Sequence, residues 1–139
     1  MTRVLGVDLG EKRIGLARSD PSGTLASPWR TITRTGDPDA DRAAILHAAR
    51  EAKAQVIVVG LPRSLSGREG PAARGARAEA AALAEVAEGI RVELHDERFT
   101  TRDAERALAR SGRRARPRRA NLDAAAAAVM LQSYLDGRG

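Results

Sequence analysis

Cysteine is absent from this sequence, and both aromatic residues and lysine are scarce. The lack of cysteine excludes disulfides, zinc thiolates and thiol nucleophiles, and makes a cytoplasmic location the default expectation. The aromatic residues are Trp29, Phe99 and Tyr134, which are too few for a base-stacking platform. No segment approaches the roughly 18 consecutive apolar residues that span a bilayer, so no membrane partner is expected. The N-terminal segment is typical of a strand and not of a signal peptide.

The basic charge comes almost entirely from arginine, because Lys12 and Lys53 are the only lysines. Lysine and arginine total 24 against 18 acidic residues, which gives a net charge of +6. A basic balance favours anionic partners, of which nucleic acid is the commonest. Arginine adds bidentate contacts to phosphate. Solubility alone is the competing explanation for the charge.

The hydrophobic pattern predicts one α/β domain over residues 1–139. Strands are predicted at Val4–Leu9, Arg13–Ser19, Pro28–Thr33, Val56–Leu61 and Ile90–Glu97. Helices are predicted at Asp39–Lys53, Ala76–Glu88, Thr101–Ser111 and from Asn121 or Leu122 to Leu135, with Asn121 as the N-cap. Pro62–Gly75 is predicted as a loop and Arg113–Arg119 as a basic linker. An antiparallel meander followed by βαβ units indicates a mixed sheet with helices on both faces.

Asp8 is the first candidate for chemistry, because it lies near the end of an apolar strand. A charge there is costly unless it is paired or binds a cation. The alternative is that Asp8 caps the turn at Gly10. Ligands of such sheets bind at the carboxyl ends of strands, which favours a functional Asp8.

Two further acidic positions end other predicted elements. Asp96 and Glu97 close a strand, and since successive strand residues face opposite sides, only one of them should face a given metal. Alternation alone does not choose between them, and both fit a surface turn before a helix. Asp123 is predicted in the first turn of the last helix, where it would also favour the helix dipole. The small apolar residues that follow it favour close packing on the sheet, which would bring Asp123 towards the strand acids.

Carboxylates from two strands and one helix suit a hard cation. Mg²⁺ takes oxygen ligands and typically binds one or two carboxylates with water and substrate phosphates. Two such ions would activate a water and stabilise the leaving oxygen. The pattern therefore predicts a Mg²⁺ or Mn²⁺ site for phosphodiester hydrolysis.

The densest basic run directly precedes Asp123 and is interpreted as a track for the phosphate backbone. A solvated loop is the alternative. The run consists of Arg110, Arg113, Arg114, Arg116, Arg118 and Arg119. The loop Gly60–Gly75 is interpreted as a lid over substrate, or else as an ordinary loop. Its arginines are Arg63, Arg68 and Arg74.

Several segments, in order along nearly the whole chain, resemble the YqgF family, also called RuvX. They include Val7-Asp8-Leu9-Gly10 with Lys12-Arg13-Ile14-Gly15, Val59-Gly60-Leu61-Pro62, Gly67 with Glu69-Gly70-Pro71, Asp96-Glu97-Arg98-Phe99-Thr100-Thr101, and Leu122-Asp123 with Leu131-Gln132-Ser133-Tyr134-Leu135. The family comprises Holliday-junction resolvases and pre-16S rRNA nucleases. Each motif alone is weak, but together they are specific.

The resemblance implies an RNase H-like fold with strand order 3-2-1-4-5 and divalent-metal nuclease chemistry. It implies that Asp8, Glu97 and Asp123 are the catalytic acids, and so selects Glu97 over Asp96. It also implies maturation of the 5′ end of 16S rRNA. The cations of the matching motifs, Lys12, Arg13 and Arg98, join the predicted nucleic-acid contacts.

Three alternatives to rRNA maturation follow from the same residues. A Holliday-junction resolvase acting on a two-fold substrate is expected to be a homodimer. A non-catalytic nucleic-acid-binding factor in transcription or ribosome assembly would keep its function in Asp8→Asn. A sugar-kinase or actin-like ATPase also begins with a segment like Val7-Asp8-Leu9-Gly10, but such enzymes need two lobes and this chain supplies one.

Overall fold

A computed structural model describes residues 2–62, 68–97 and 119–137. The strands are β1 (Val4–Leu9), β2 (Arg13–Ser19), β3 (Ala26–Thr33), β4 (Val56–Leu61) and β5 (Arg91–Asp96). The helices are α1 (Pro38–Glu51), α2 (Pro71–Val86) and α3 (Arg119–Gly137). The strands form one mixed sheet in the order β3-β2-β1-β4-β5, as the family resemblance implied.

Strand direction brings the ends of several strands to one edge of the sheet. β2 runs antiparallel to β1 and β3, whereas β4 is parallel to β1 and β5 is parallel to β4. The carboxyl ends of β1, β3, β4 and β5 therefore lie at the same edge as the start of β2. We call this edge the carboxyl edge.

Hydrophobic residues alternate between the two faces of the sheet. On one face Leu5 and Val7 of β1 join a core that includes residues of α1 and α2, such as Ile45 and Leu83. On the other face Val4 joins a second core with α3. Because side chains alternate along a strand, Asp8 belongs to the α3 face. Helices on both faces confirm the predicted architecture.

The first half of the chain departs from prediction at the bounds of β3 and α1. β3 begins at Ala26 and not at Pro28, because the side chain of Gln132 in α3 accepts a hydrogen bond from the Ala26 N–H at 2.9 Å. α1 begins at Pro38, since the Asp37 carboxylate caps it by accepting from the Asp39 N–H at 3.0 Å. It ends at Glu51 because Lys53 adopts a positive φ of 56°, which a helix cannot continue.

α2 begins five residues earlier than predicted. It starts at Pro71, so the predicted loop Pro62–Gly75 is wrong over residues 71–75. Proline is well suited to the first helical position because its missing N–H has no partner there in any case. α2 ends at Val86, two residues before the predicted end, and β5 is one residue shorter at each end than predicted.

The last helix also begins earlier than predicted. α3 starts at Arg119, so Asn121 is not its N-cap and Arg119 belongs to the helix, not to the linker. Asp123 consequently lies in the second turn, where the helix dipole offers it less stabilisation. The predicted helix Thr101–Ser111 and residues 113–118 of the predicted linker lie outside the described residues. No helix in the described ranges is long and apolar enough to cross a membrane.

Candidate active site

Three of the predicted acidic residues gather at the carboxyl edge. Asp8 is the fifth residue of β1, and Glu97 directly follows β5. The Glu97 N–H continues the parallel pairing by donating to the Leu61 carbonyl at 3.0 Å. Asp123 approaches from α3, which covers this face. Two strand ends and one helix therefore supply the three carboxyl groups.

Gly15 allows the start of α3 to approach Asp8. In the β1–β2 ladder Gly15 is the partner of Asp8. A Cβ atom at position 15 would collide with the backbone carbonyl of Asp123. Glycine inside a strand often marks such a close backbone approach. The missing side chain therefore brings Asp123 against the strand pair that carries Asp8.

Packing on α3 decides which of Asp96 and Glu97 faces Asp8. The His95 Nε2 lies 3.0 Å from the Ser133 hydroxyl, and the Tyr134 hydroxyl donates to Glu93 at 2.6 Å. Glu93 and His95 therefore point towards α3, and alternation places Glu97 on the same face and Asp96 on the other.

Gly60 makes room for Glu97 on that face. A Cβ atom at position 60 would collide with the Glu97 carboxyl group. Because β4 lies between β1 and β5, the absent side chain opens the path along which Glu97 reaches Asp8.

The Asp8 and Glu97 carboxyls share a hydrogen bond and a proton. Burial, together with the negative charge of Asp8, raises the pKa of Glu97 to about 8. Burial also raises the pKa of Asp8, although its hydrogen bond with Glu97 opposes the rise and the charge of Asp123 adds to it. At neutral pH the protonated Glu97 donates to the Asp8 carboxylate. Like charges this close cannot both be ionised at low cost without a compensating cation.

Arg13 is the basic residue nearest to the third carboxyl group. Its Nε lies 3.9 Å from Asp123 Oδ2, and both side chains are partly exposed. Within residues 2–62, 68–97 and 119–137, no three acidic or histidine side chains are close enough together to hold a metal ion jointly. The arrangement is therefore a partly buried carboxyl pair with a third carboxylate beside it, which forms an ion pair with Arg13.

The carboxyl pair suits a hard divalent cation. Its donors are oxygens, and Mg²⁺ needs only one or two carboxylates when water and substrate phosphate complete its coordination. The raised pKa of Glu97 is also consistent with a cation site, because a divalent cation would take the place of the proton that Glu97 now shares with Asp8. Asp8 and Glu97 are thus the residues that would hold such an ion.

The predicted nucleic-acid contacts are only partly described. Lys12 is exposed in the β1–β2 turn next to Arg13, and Arg68 is exposed before α2. Arg119 is the first residue of α3. The remaining predicted contacts lie outside the described residues, and these are Arg63, Arg98, Arg113, Arg114, Arg116 and Arg118.

Comparison with known proteins identifies the family. The family model RuvX, described as Holliday junction resolvase, matches residues 2–137. The chain belongs to the RuvX family. A RuvX relative from a Nocardioides species, named "Putative pre-16S rRNA nuclease", is 50% identical over 95% of this chain and 86% of its own length. A relative of the same name from Anaeromyxobacter dehalogenans is 48% identical and covers 98% of both chains. The family and these names confirm the prediction of a nucleic-acid-hydrolysing enzyme.

Solved structures support the fold of the RuvX chain independently. RuvC of Thermus thermophilus in complex with a Holliday junction substrate aligns with a TM-score of 0.63. The alignment covers 99% of this chain and 96% of RuvC, at 16% identity. Another T. thermophilus RuvC structure aligns with a TM-score of 0.59. This likeness confirms the RNase H-like fold that the resemblance implied.

Sequence reasoning missed the two glycines that shape the site. Gly15 and Gly60 were visible as parts of motifs, but the pattern gave them no role. An isolated glycine within an apolar strand was the available signal, because it indicates a bulge or a close approach. What approaches each glycine depends on α3 and on Glu97, which are remote in sequence.

Proposed function

We propose that this chain hydrolyses phosphodiester bonds in the precursor of 16S rRNA, at its 5′ end, with Mg²⁺ or Mn²⁺ as cofactor. The observation that carries the proposal is the partly buried, hydrogen-bonded Asp8–Glu97 pair at the carboxyl edge, with Asp123 beside it. The names of relatives at 43–50% identity point to this RNA. The same substrate implies activity in the cytoplasm.

Asp8 and Glu97 hold the cation in this proposal. When bound, the cation supplies an activated water and stabilisation of the leaving oxygen. Glu97 must lose its proton for binding, and the charge of the cation would then offset the repulsion between the two carboxylates. Their partial burial reduces screening by solvent, which strengthens the interaction.

Asp123 and Arg13 act at the mouth of the site. The Asp123 carboxylate is oriented by Arg13 and is available to accept a proton from a water beside the pair. Arg13 is partly exposed, so its guanidinium can also contact the phosphate that is being cut. The exposed Lys12 extends this positive surface along the β1–β2 turn.

The test is cleavage of a 5′-extended 16S precursor RNA with Mg²⁺, with Mn²⁺ or with EDTA. Wild type is compared with Asp8→Asn and with Asp136→Asn, an exposed acid at the far end of α3. Losing a cation ligand removes several kcal/mol of transition-state stabilisation, so Asp8→Asn should cut at less than about 1% of the wild-type rate. Asp136→Asn should cut normally. Cleavage by Asp8→Asn at the wild-type rate would overturn the catalytic assignment and favour a non-catalytic binding factor.

A four-way DNA junction is the second substrate of the same experiment. Preferential junction cleavage, together with a dimer in sedimentation analysis, would replace the RNA assignment by junction resolution. Preferential RNA cleavage by a monomer supports the proposal.

A further inference from the structure

A cleft lies at the carboxyl edge, on the side of β3. It has a volume of about 510 Å³ and is lined by residues of the β1–β2 turn, the end of β3 and the start of α1. Its charged lining residues are Glu11, Lys12, Arg34 and Asp41. A backbone hydrogen bond of 2.9 Å from the Arg34 N–H to the Lys12 carbonyl joins the two basic positions. The turn that follows Asp8 therefore forms one wall of this cleft.

Arg34 lines this cleft with a guanidinium that is only partly satisfied. Its Nε is buried and has no hydrogen-bond partner among the described residues. Of the described residues, none forms an ion pair with the side chain of Arg34 or of Lys12. Buried donors are nearly always satisfied, and an exception calls for a specific reason such as a ligand. Asp41, which lines the same cleft, is not that partner: its Oδ1 accepts from the Thr35 N–H at 3.0 Å and from the Thr35 hydroxyl at 2.8 Å.

We infer that this cleft binds a backbone phosphate of the substrate strand, with Arg34 and Lys12 as its donors. The inference rests on the proposed function, since it extends the nucleic-acid track of the same site. Arginine guanidinium and lysine ammonium groups are strong donors to phosphate oxygens. Contacts of this kind fix the register of a strand without reading its sequence. Arg34 is therefore a positioning residue for the cut.

The sheet geometry fixes which phosphate is bound. Asp8 lies on β1 and the cleft adjoins the end of β3, two strands away. Asp8 pairs with Gly15 and Gly15 with Thr31, so Arg34 lies three residues beyond the level of Asp8. Two strand spacings of about 4.8 Å and three residues of about 3.3 Å give roughly 14 Å, which is at most about four nucleotides at about 3.4 Å each. The bound phosphate should thus lie two to four nucleotides from the cut bond.

The two acids make the cleft nearly neutral, so the contact acts through directed hydrogen bonds more than through attraction at long range. Glu11 is exposed and lies in the same cleft, where its carboxylate would repel a phosphate. Removing that charge should tighten substrate binding, whereas removing Arg34 should weaken it. A purely structural Arg34 would not predict opposite effects from these two changes.

The test compares kcat and KM of Arg34→Gln, Glu11→Gln and wild type on the precursor RNA and on the junction, between 50 and 200 mM salt. We expect Arg34→Gln to raise KM about tenfold, the loss of one charge-assisted hydrogen bond, with a much smaller change in kcat. The slope of log KM against log salt should fall by about 0.7 to 0.9, as for one lost phosphate contact. Glu11→Gln should lower KM. The control is Arg3→Gln, an exposed arginine at the opposite end of the sheet.

A neutral methylphosphonate, placed at each position of the substrate in turn, locates the contact. In wild type the substitution two to four nucleotides from the cut should raise KM about as much as Arg34→Gln does, and it should add nothing in that variant. Equal KM and equal salt slopes for Arg34→Gln and wild type would overturn the inference while cleavage itself stands. If wild type cuts neither substrate, the proposed function fails, and unchanged RNA binding by Arg34→Gln would then overturn the inference as well.

Discussion

Replacing Glu97 with glutamine is expected to stabilise the metal-free protein at pH 8 while it abolishes cleavage. Burial raises the pKa of Glu97 from the ordinary 4.5 to about 8. Between these values the native state keeps a proton that the unfolded chain has released, so the free energy of unfolding falls as the pH rises. Glutamine is neutral in both states and nearly the same size, so it avoids this loss.

The size of the gain follows from the same pKa. At about 1.4 kcal/mol for each pKa unit, the interval from 4.5 to about 8 sets an upper limit of roughly 5 kcal/mol. The amide of glutamine still donates to Asp8, but replacing one hydrogen bond by another of different geometry costs about 1 kcal/mol. We therefore expect a gain between about 1 and 4 kcal/mol at pH 8. At pH 5 it should shrink to below about 1 kcal/mol, since little ionisation then separates the two states.

Urea unfolding followed by circular dichroism, with EDTA present, measures the gain at both pH values. The matched control is Glu93→Gln, on the same strand and face, whose carboxylate accepts from Tyr134 at 2.6 Å. Replacing this carboxylate by the weaker amide acceptor should destabilise the protein slightly at both pH values. If Glu97→Gln is no more stable than wild type at pH 8, or if its gain does not depend on pH, the shared proton at the site is refuted.

Three further outcomes are expected. Gly15→Ala should destabilise the protein by about 2–4 kcal/mol in urea unfolding and slow cleavage, because the new Cβ collides with the Asp123 carbonyl. The control is Gly75→Ala, at an exposed helical position with open space around it, which should stabilise the protein by about 0.5–1 kcal/mol in the same measurement. Cleavage at limiting Mg²⁺ should rise with pH up to about 8, because the cation competes with the proton for Glu97 and the proton is released to solvent; a rate that falls over this range in a pH profile would contradict the assignment. Replacing arginines of the predicted basic run by glutamine should weaken RNA binding and reduce the slope of log binding constant against log salt. An unchanged slope would count against this run as the phosphate track. The residues replaced are Arg113, Arg114 and Arg116.

The bounds of the strands near the site were predictable from sequence because clear turn and apolar-run signals mark them. β1, β2 and β4 begin and end at the predicted residues, since Gly10 marks the tight turn between β1 and β2 and β4 is an uninterrupted apolar run. The starts of α2 and α3 were wrong because local signals competed. Pro71 was interpreted as part of a loop although proline also suits a first helical turn, and Asn121 has the chemistry of a cap but lies inside α3.

The choice between Asp96 and Glu97 needed information that no local pattern contains. Alternation separates the two side chains but does not say which face is covered by α3. The contacts of Glu93 and His95 with α3 supply that reference, and they join residues about forty positions apart. The family resemblance selected Glu97 before the structure gave a physical reason. Arg34 had no signal at all, because its buried Nε is a property of the folded cleft.

The separation of Asp8 and Asp123 along the chain has a consequence for synthesis. The first belongs to the opening strand, whereas the second is carried by the last described helix. Domains fold as units when the contacts that join distant segments can form. A nascent chain that has not yet emerged as far as α3 therefore holds the Asp8 strand without the carboxylate beside it. Asp8 and Asp123 therefore come together at the carboxyl edge only after α3 has been synthesised and has packed on the sheet.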